Sequence, residues 1–249
     1  VRGNNARPNF AAAMRLAPLR LLLALLLAAA ATPSQAFTDG ELLNGFNHTV
    51  FGSEYPNWNW QSRLVKKFTG PVRFFIDDRS GAGRRGAVRA FLKTLPRAIG
   101  GLQATVVDDP REANFRIFIL DRADYQRVVT GEVYGRASSS FAPGKCLVRV
   151  LSGASGITRS DAVIVADEGE FLFQRCMVEE ILQGLGPVND HPSLSESVFN
   201  DRSPHATFTQ FDRMLLNMLY HPAIRAGMTK VETARVRPRV LAELRRGAP

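Results

Sequence analysis

The chain has 249 residues, of which 45% are hydrophobic and 22% charged. That is ample for one or two packed domains, and it excludes wholesale disorder or a collagen-like chain. The 32 Lys and Arg outnumber 23 Asp and Glu, a formal charge of +9, but the excess sits at the ends: residues 1–36 carry 4 basic and 0 acidic side chains, residues 225–249 carry 7 and 2, and residues 37–224 carry 21 of each. A neutral body excludes nucleic acid as a partner held by the charge of the core.

The first basic end reads as a targeting segment. Met14–Arg20 is a short positive stretch, Leu21–Ala31 is an unbroken apolar run, and Ser34-Gln35-Ala36 is a small-x-small cleavage site. This pattern predicts a secretory signal peptide cleaved after Ala36, with Met14 as the true start and residues 1–13 as an upstream extension. The apolar run covers only about half of a ~30 Å hydrocarbon core, so a membrane anchor is the weaker reading. No Cys follows the cleavage point to carry a lipid. The expected location is the bacterial periplasm or the outside of the cell. In that compartment Cys146 and Cys176, the only two cysteines, are expected to form a disulfide. Two free buried thiols are the rival reading. Two cysteines without a histidine cluster make no zinc site.

Along the mature chain, Leu42, Leu43, Phe46 and Val50 have helical spacing within residues 40–52. An aromatic turn follows at residues 55–60. Strands are expected at Val72–Ile76, Leu102–Val107, Asn114–Leu120, Cys146–Leu151 and Ala162–Ala166. Between the first two strands, Gly86–Ile99 reads as an amphipathic helix stopped by Gly100-Gly101. In the third strand Phe115, Ile117 and Ile119 alternate with Arg116 and Phe118. After Gly169 the character is helical: Phe171–Leu185, a polar loop at 188–206, Thr207–Tyr220, and a basic terminal helix Val231–Arg246 with a kink expected at Pro238. The expected organisation is a leader (1–36), one α+β domain (37–228) and a basic helix or tail (229–249) that touches an anionic envelope surface or is simply solvated.

Gly81–Gly86 (GAGRRG) has the G-x-G-x-x-G spacing of a dinucleotide loop, with Asp108 lying 22 residues after Gly86. Against it, Asp77-Asp78-Arg79-Ser80 intervenes after the strand, and two carboxylates there repel a pyrophosphate. A plain Gly-rich loop ahead of a helix is the stronger reading. No G-x-S-x-G motif occurs, Ser138-Ser139-Ser140 reads as a loop, and His48, His191, His205 and His221 lack ligand spacing, which reads them as surface residues.

The informative stretch is Cys176–Asp190 (CMVEEILQGLGPVND). Two adjacent carboxylates, Glu179 and Glu180, are costly to bury unpaired in so apolar a helix. Glu179 and Gln183 share a helix face, Gly186 lets the chain turn, and Asn189 is expected back at that face.

This spacing resembles the metzincin zinc motif H-E-x-x-H-x-x-G-x-x-H. In that alignment Glu179, Gln183 and Asn189 stand at the three histidines, Glu180 at the general base and Gly186 at the glycine. Ser197–Asp201 resembles the underlying turn, with Phe199 in place of its Met. The resemblance implies a zincin-like α+β fold: a mixed sheet with a long helix in the N-terminal half, a motif-bearing helix, and a mainly helical C-terminal half. The segments CMVEEILQGLGPVND, SVFNDRSP and FDRMLLNMLYHPAIRAGM more closely resemble an uncharacterised family of exported proteobacterial proteins, several described as lipoproteins. That resemblance covers residues 40–228 and implies an extracytoplasmic domain of unknown function.

All three zinc histidines are absent, and an amide oxygen is a poor zinc ligand. Zinc and other cofactors are therefore not expected; Glu179, Gln183 and Asn189, joined by Asp190 or Asp201, suit a hard cation such as Ca²⁺ weakly. Three readings follow: a structural role for Glu179 and Glu180, a cleft that binds a peptide or envelope component without catalysis, and a hydrolase with Glu180 as base. The first two agree on a pseudoenzyme. The oligomeric state is not legible.

Overall fold

The structure, a computed structural model, describes Gly3 and residues 37–52, 63–135 and 144–247. Apart from Gly3, the expected leader at 1–36 lies outside the described residues, as do the aromatic turn at 55–60 and Ser138–Ser140. Helix α1 spans Asp39–Val50. Thr38 caps it reciprocally with Glu41: the Thr38 hydroxyl accepts the Glu41 N–H at 3.1 Å, and the Glu41 carboxylate accepts the Thr38 N–H at 2.7 Å. Leu42, Phe46 and Val50 form its fully buried face.

Strands β1 (Val72–Asp78), β2 (Ala104–Val106), β3 (Phe115–Leu120), β4 (Cys146–Gly153) and β5 (Gly156–Val165) form one sheet in the order β2-β1-β3-β5-β4. β1 pairs in parallel with β2 and β3, and β3 with β5, while β4 runs antiparallel to β5. Parallel neighbours need crossovers. Helix α2 (Arg85–Ala98) supplies the first and buries Val88, Leu92 and Leu95. The hairpin between β4 and β5 turns at Gly153–Gly156, leaving β4 at the edge.

One sheet face carries Phe74, Ile76, Ile117, Ile119, Ala162 and Ile164 into the main core, against α2 and helix α4 (Glu170–Gln183). The other carries Phe118, Leu120, Val163 and Val165. That face is covered by a helix without a counterpart among the expected elements, α3 (Arg122–Val128), which runs on into a π-helical turn at Val129–Val133. Phe118, on the face opposite Phe115, Ile117 and Ile119, is therefore buried as well, and Arg79 and Arg116 stack on its ring. The class is α+β, with a mixed five-stranded sheet and six α-helices among the described residues.

Helices α5 (Gln210–Tyr220) and α6 (Lys230–Gly247) complete the chain. α6 runs through Pro238 and buries Thr233, Arg237, Val240 and Leu241. Several of its cations are used internally. Arg237 is buried, bonds Asn47 at 2.6 Å and stacks on Phe46. Arg245 pairs with Asp39 at 3.0 Å, and Arg239 with Glu243 at 2.7 Å. No helix among the described residues is long and apolar enough to cross a membrane.

Cys146 and Cys176 form the expected disulfide, with their Cα atoms 5.8 Å apart. It ties the start of edge strand β4 to α4. Closing a loop of this length restricts the unfolded chain. Replacing both cysteines by Ser should lower the unfolding free energy in urea by about 3–4 kcal/mol. A loss below about 1 kcal/mol would show that the loop is already constrained in the unfolded chain.

Candidate functional site

The motif helix α4 is buried almost all round: Phe173, Arg175, Cys176, Glu179, Glu180, Ile181, Leu182 and Gln183 are all shielded. A charge can persist there only with partners. Arg175 supplies them for the helix and for the loop beyond it. Its Nη1 donates to the carbonyls of Ser203 (2.9 Å) and His205 (3.2 Å). Its Nη2 donates to the carbonyls of Asn200 (2.9 Å) and Val198 (3.5 Å), and to Glu179 Oε1 at 3.3 Å. One planar guanidinium thus fixes four loop carbonyls and one carboxylate, a geometry a Lys ammonium does not offer.

The same loop is held from α5 by Asp212. This carboxylate is fully buried and accepts the hydroxyls of Ser197 (2.5 Å) and Thr209 (2.7 Å) and the N–H groups of Thr209 (3.2 Å) and Val198 (3.3 Å). Burial raises its pKa above the ordinary carboxylate value, and these four donors work against that rise. Asp212 is also half of a capping box with Thr209. Ser197–Asn200 is buried, with Phe199 fully so.

After α4 the chain turns at Gly186, whose φ of +143° lies outside the range most residues adopt. A Cβ there would run into the Lys66 carbonyl. The turn is tied down by the Tyr220 hydroxyl, which donates to the Leu185 carbonyl at 2.9 Å. Lys67, next along from Lys66, caps α5 by donating to the Leu219 carbonyl at 2.9 Å, and burial pulls its pKa down to about 8.

The chain returns toward α4, but through Asp190, not Asn189. Gln183 Nε2 donates to Asp190 Oδ1 at 2.8 Å. The Asn189 side chain instead donates to the His48 carbonyl at 2.8 Å and lies against Gly52, at the end of α1. Glu179 and Gln183 therefore share a face as expected, and Asn189 points elsewhere. Glu180 is buried at 5% exposure. The groups that do converge are Glu179, Asp190 and Asp201, whose carboxylate oxygens lie within 4.8 Å of one another.

The donors at the motif positions do not fit zinc. Glu179, Gln183 and Asn189 offer no imidazole, and the Asn189 amide is engaged with His48. The histidines are half-buried, not simply surface groups. His48 and His191 stack at 3.6 Å, and burial first, then the neighbouring His191, lowers the His48 pKa. His205 meets the Ser195 carbonyl at 3.1 Å, and His221 meets Glu243 at 3.1 Å.

The Gly81–Gly86 loop has its own internal partners. The Gly81 N–H faces both Asp121 oxygens at 3.2 Å, and the Arg85 N–H donates to Asp78 at 2.6 Å. Arg84 pairs with Glu170 at 2.6 Å and stacks on Phe173. Carboxylates occupy the place a phosphate would need.

A domain family described as a protein of unknown function (DUF2927) matches residues 39–239. The chain belongs to this family. No curated protein matches it. The DUF2927 span runs from the start of α1 to Arg239 within α6, and so contains the whole sheet, the motif helix and both buried clamps.

Arg175 carries no motif signal in the sequence beyond its i,i+4 spacing to Glu179. Asp212 is marked only by the Thr209-x-x-Asp212 capping spacing, which points to a helix start and not to a buried clamp. Removing one partner of a buried ion pair leaves the other uncompensated. Arg175→Met should therefore cost about 3–5 kcal/mol in urea unfolding, and adding Glu179→Gln should recover part of it. A cost of Arg175→Met under about 1 kcal/mol would mean the guanidinium holds nothing.

Proposed function

We propose that this DUF2927 protein is an exported, non-catalytic module that binds an extended peptide of the cell envelope along edge strand β4. The observation that carries this reading is the position of β4. It pairs only with β5 among the described residues and is bonded through Cys146 to the motif helix. An edge strand offers a row of main-chain donors and acceptors to an incoming strand. Export is supported by the apolar run Leu21–Ala31 and by a disulfide, which suits an oxidising compartment.

The motif residues support binding without catalysis. In a zincin-like site, the first and third ligand positions would face one ion. Here Glu179 is paired with Arg175, and Asn189 serves the end of α1. With its first and third ligand positions turned to different partners, the motif offers no single point at which a water beside Glu180 would be activated. The internal bonding of Gly81 and Arg85 speaks against the nucleotide reading. Arg225, Lys230, Arg235 and Arg246 remain exposed at the basic end, available to an anionic surface.

A second reading rests on Glu179, Asp190 and Asp201, an oxygen set of the kind that holds Ca²⁺. In it the protein is a hydrolase with Glu180 as general base.

One experiment separates the two. The full chain is incubated with a random peptide library and, in turn, with Ca²⁺, Mg²⁺ or Zn²⁺. New peptide termini are read by mass spectrometry, and retained peptides are mapped by amide exchange on β4. The proposal expects retained peptides that slow exchange in residues 146–153, and no cleavage above that of Glu180→Gln. Cleavage that disappears in Glu180→Gln would overturn it, as would retained peptides that leave β4 exchange unchanged.

A further inference from the structure

Arg149 is the one charged residue of edge strand β4. It lies on the sheet face away from the main core, in a row that crosses three strands: Arg116 of β3, Asp161 of β5 and Arg149 of β4, each directly opposite the next. Asp161 is buried at 1% exposure, and both of its oxygens are taken. Arg159 Nε donates to each of them at 3.0 Å, and Arg116 Nε donates to Oδ1 at 2.7 Å. Arg149 therefore forms no ion pair with a carboxylate of the described residues. Its Nη1 donates to the Val133 carbonyl, and its guanidinium stacks on Tyr134, 5.1 Å from the ring centre.

The row alternates in sign: positive, negative, positive. Its next place lies on whatever strand pairs with β4, because residues opposite each other on one face are the pairs that interact. A charge in the middle of an edge strand rejects most added strands. Among them is a second β4 laid antiparallel with Arg149 opposite Arg149. The other edge strand, β2, has three residues and no charge, and its shortness is protection enough. A carboxylate opposite Arg149 continues the alternation. On the same face of β4 the neighbours are Leu147 and Leu151, both half-buried, and they set the places two residues to either side. After Leu151 the register shifts, so the regular stretch of β4 ends there.

We propose that Arg149 sets the specificity of this edge: β4 accepts an extended peptide that carries Asp or Glu opposite Arg149 and an apolar residue two places to either side, and rejects a basic one. The inference rests on the edge-strand reading above and adds the chemistry of the peptide. The pattern apolar-x-acid-x-apolar is the same read in either direction, so it serves a parallel or an antiparallel partner. Arg149 discriminates by repelling the wrong strand as much as by attracting the right one.

The test uses three fluorescein-labelled nine-residue peptides that differ only at their centre, which is Glu, Gln or Lys, with Leu two places to either side and Thr elsewhere. Each is titrated into the full chain by fluorescence anisotropy, and its site is mapped by amide exchange. The Glu peptide should slow exchange in β4. It should bind about threefold or more tighter than the Gln peptide and about tenfold or more tighter than the Lys peptide. Arg149→Glu should reverse the order of the Glu and Lys peptides. The wild-type series decides the matter even where that variant fails to fold. Equal binding of the three peptides, with β4 protected, would overturn the specificity and leave the edge-strand reading standing. An unchanged order in a folded Arg149→Glu would overturn the assignment to Arg149. No protection of β4 by any of the three would overturn both the specificity and the edge-strand reading.

Discussion

The buried guanidinium of Arg175 is the interaction on which the second half of this structure depends. It enters the core on the motif helix and meets the carbonyls of residues 198, 200, 203 and 205. A loop of this kind has many main-chain groups and few helical or strand partners for them. Water would normally satisfy them at the surface. Arg175 does so from inside, and that allows Ser197–Asn200 to sit under the helix as part of the core. Glu179 completes the charge balance.

Asp212 performs the complementary task from α5, accepting donors where Arg175 satisfies acceptors. Between them, two opposite buried charges hold one irregular loop against two helices. This gives a physical reason for the acidic motif helix that needs no metal. Glu179 sits there because a buried Arg needs a counter-charge, and Gln183 positions Asp190 on the returning chain. Glu179, Asp190 and Asp201 come together because the returning chain brings Asp190, and the loop held by Arg175 brings Asp201, to the Glu179 face of α4.

Much of the sheet was legible because period-two patterning is a local signal. Val72–Ile76 and Phe115–Leu120 could be read from alternation, α2 from its apolar face and Gly stop, and the disulfide from an even pair of cysteines behind a segment that reads as a leader. Helix α3 was not legible. It has only seven residues, too few to show a period, and Tyr125 and Val128 are its whole buried face. Without it, nothing in the sequence showed what covers the sheet face that carries Phe118. At the site, the helix and the Gly186 turn could be read, but the identity of the returning residue could not. A one-residue difference in loop path decides between Asn189 and Asp190, and loop path is set by tertiary partners such as His48 and Gly52. Arg175 is silent for the same reason, since a single charge in a helix gives no sequence sign that it points inward, and the Thr209–Asp212 capping spacing marks a helix start without showing that the carboxylate is buried.

The central claim is that the loop after the motif helix belongs to the core because buried charges hold it. Amide hydrogen exchange in the full chain measures this directly, at Ser197, Val198, Phe199 and Ser203. If the claim holds, these amides exchange as slowly as those in the middle of α4, through the same global opening. Fast exchange at these four positions while α4 stays protected would contradict it.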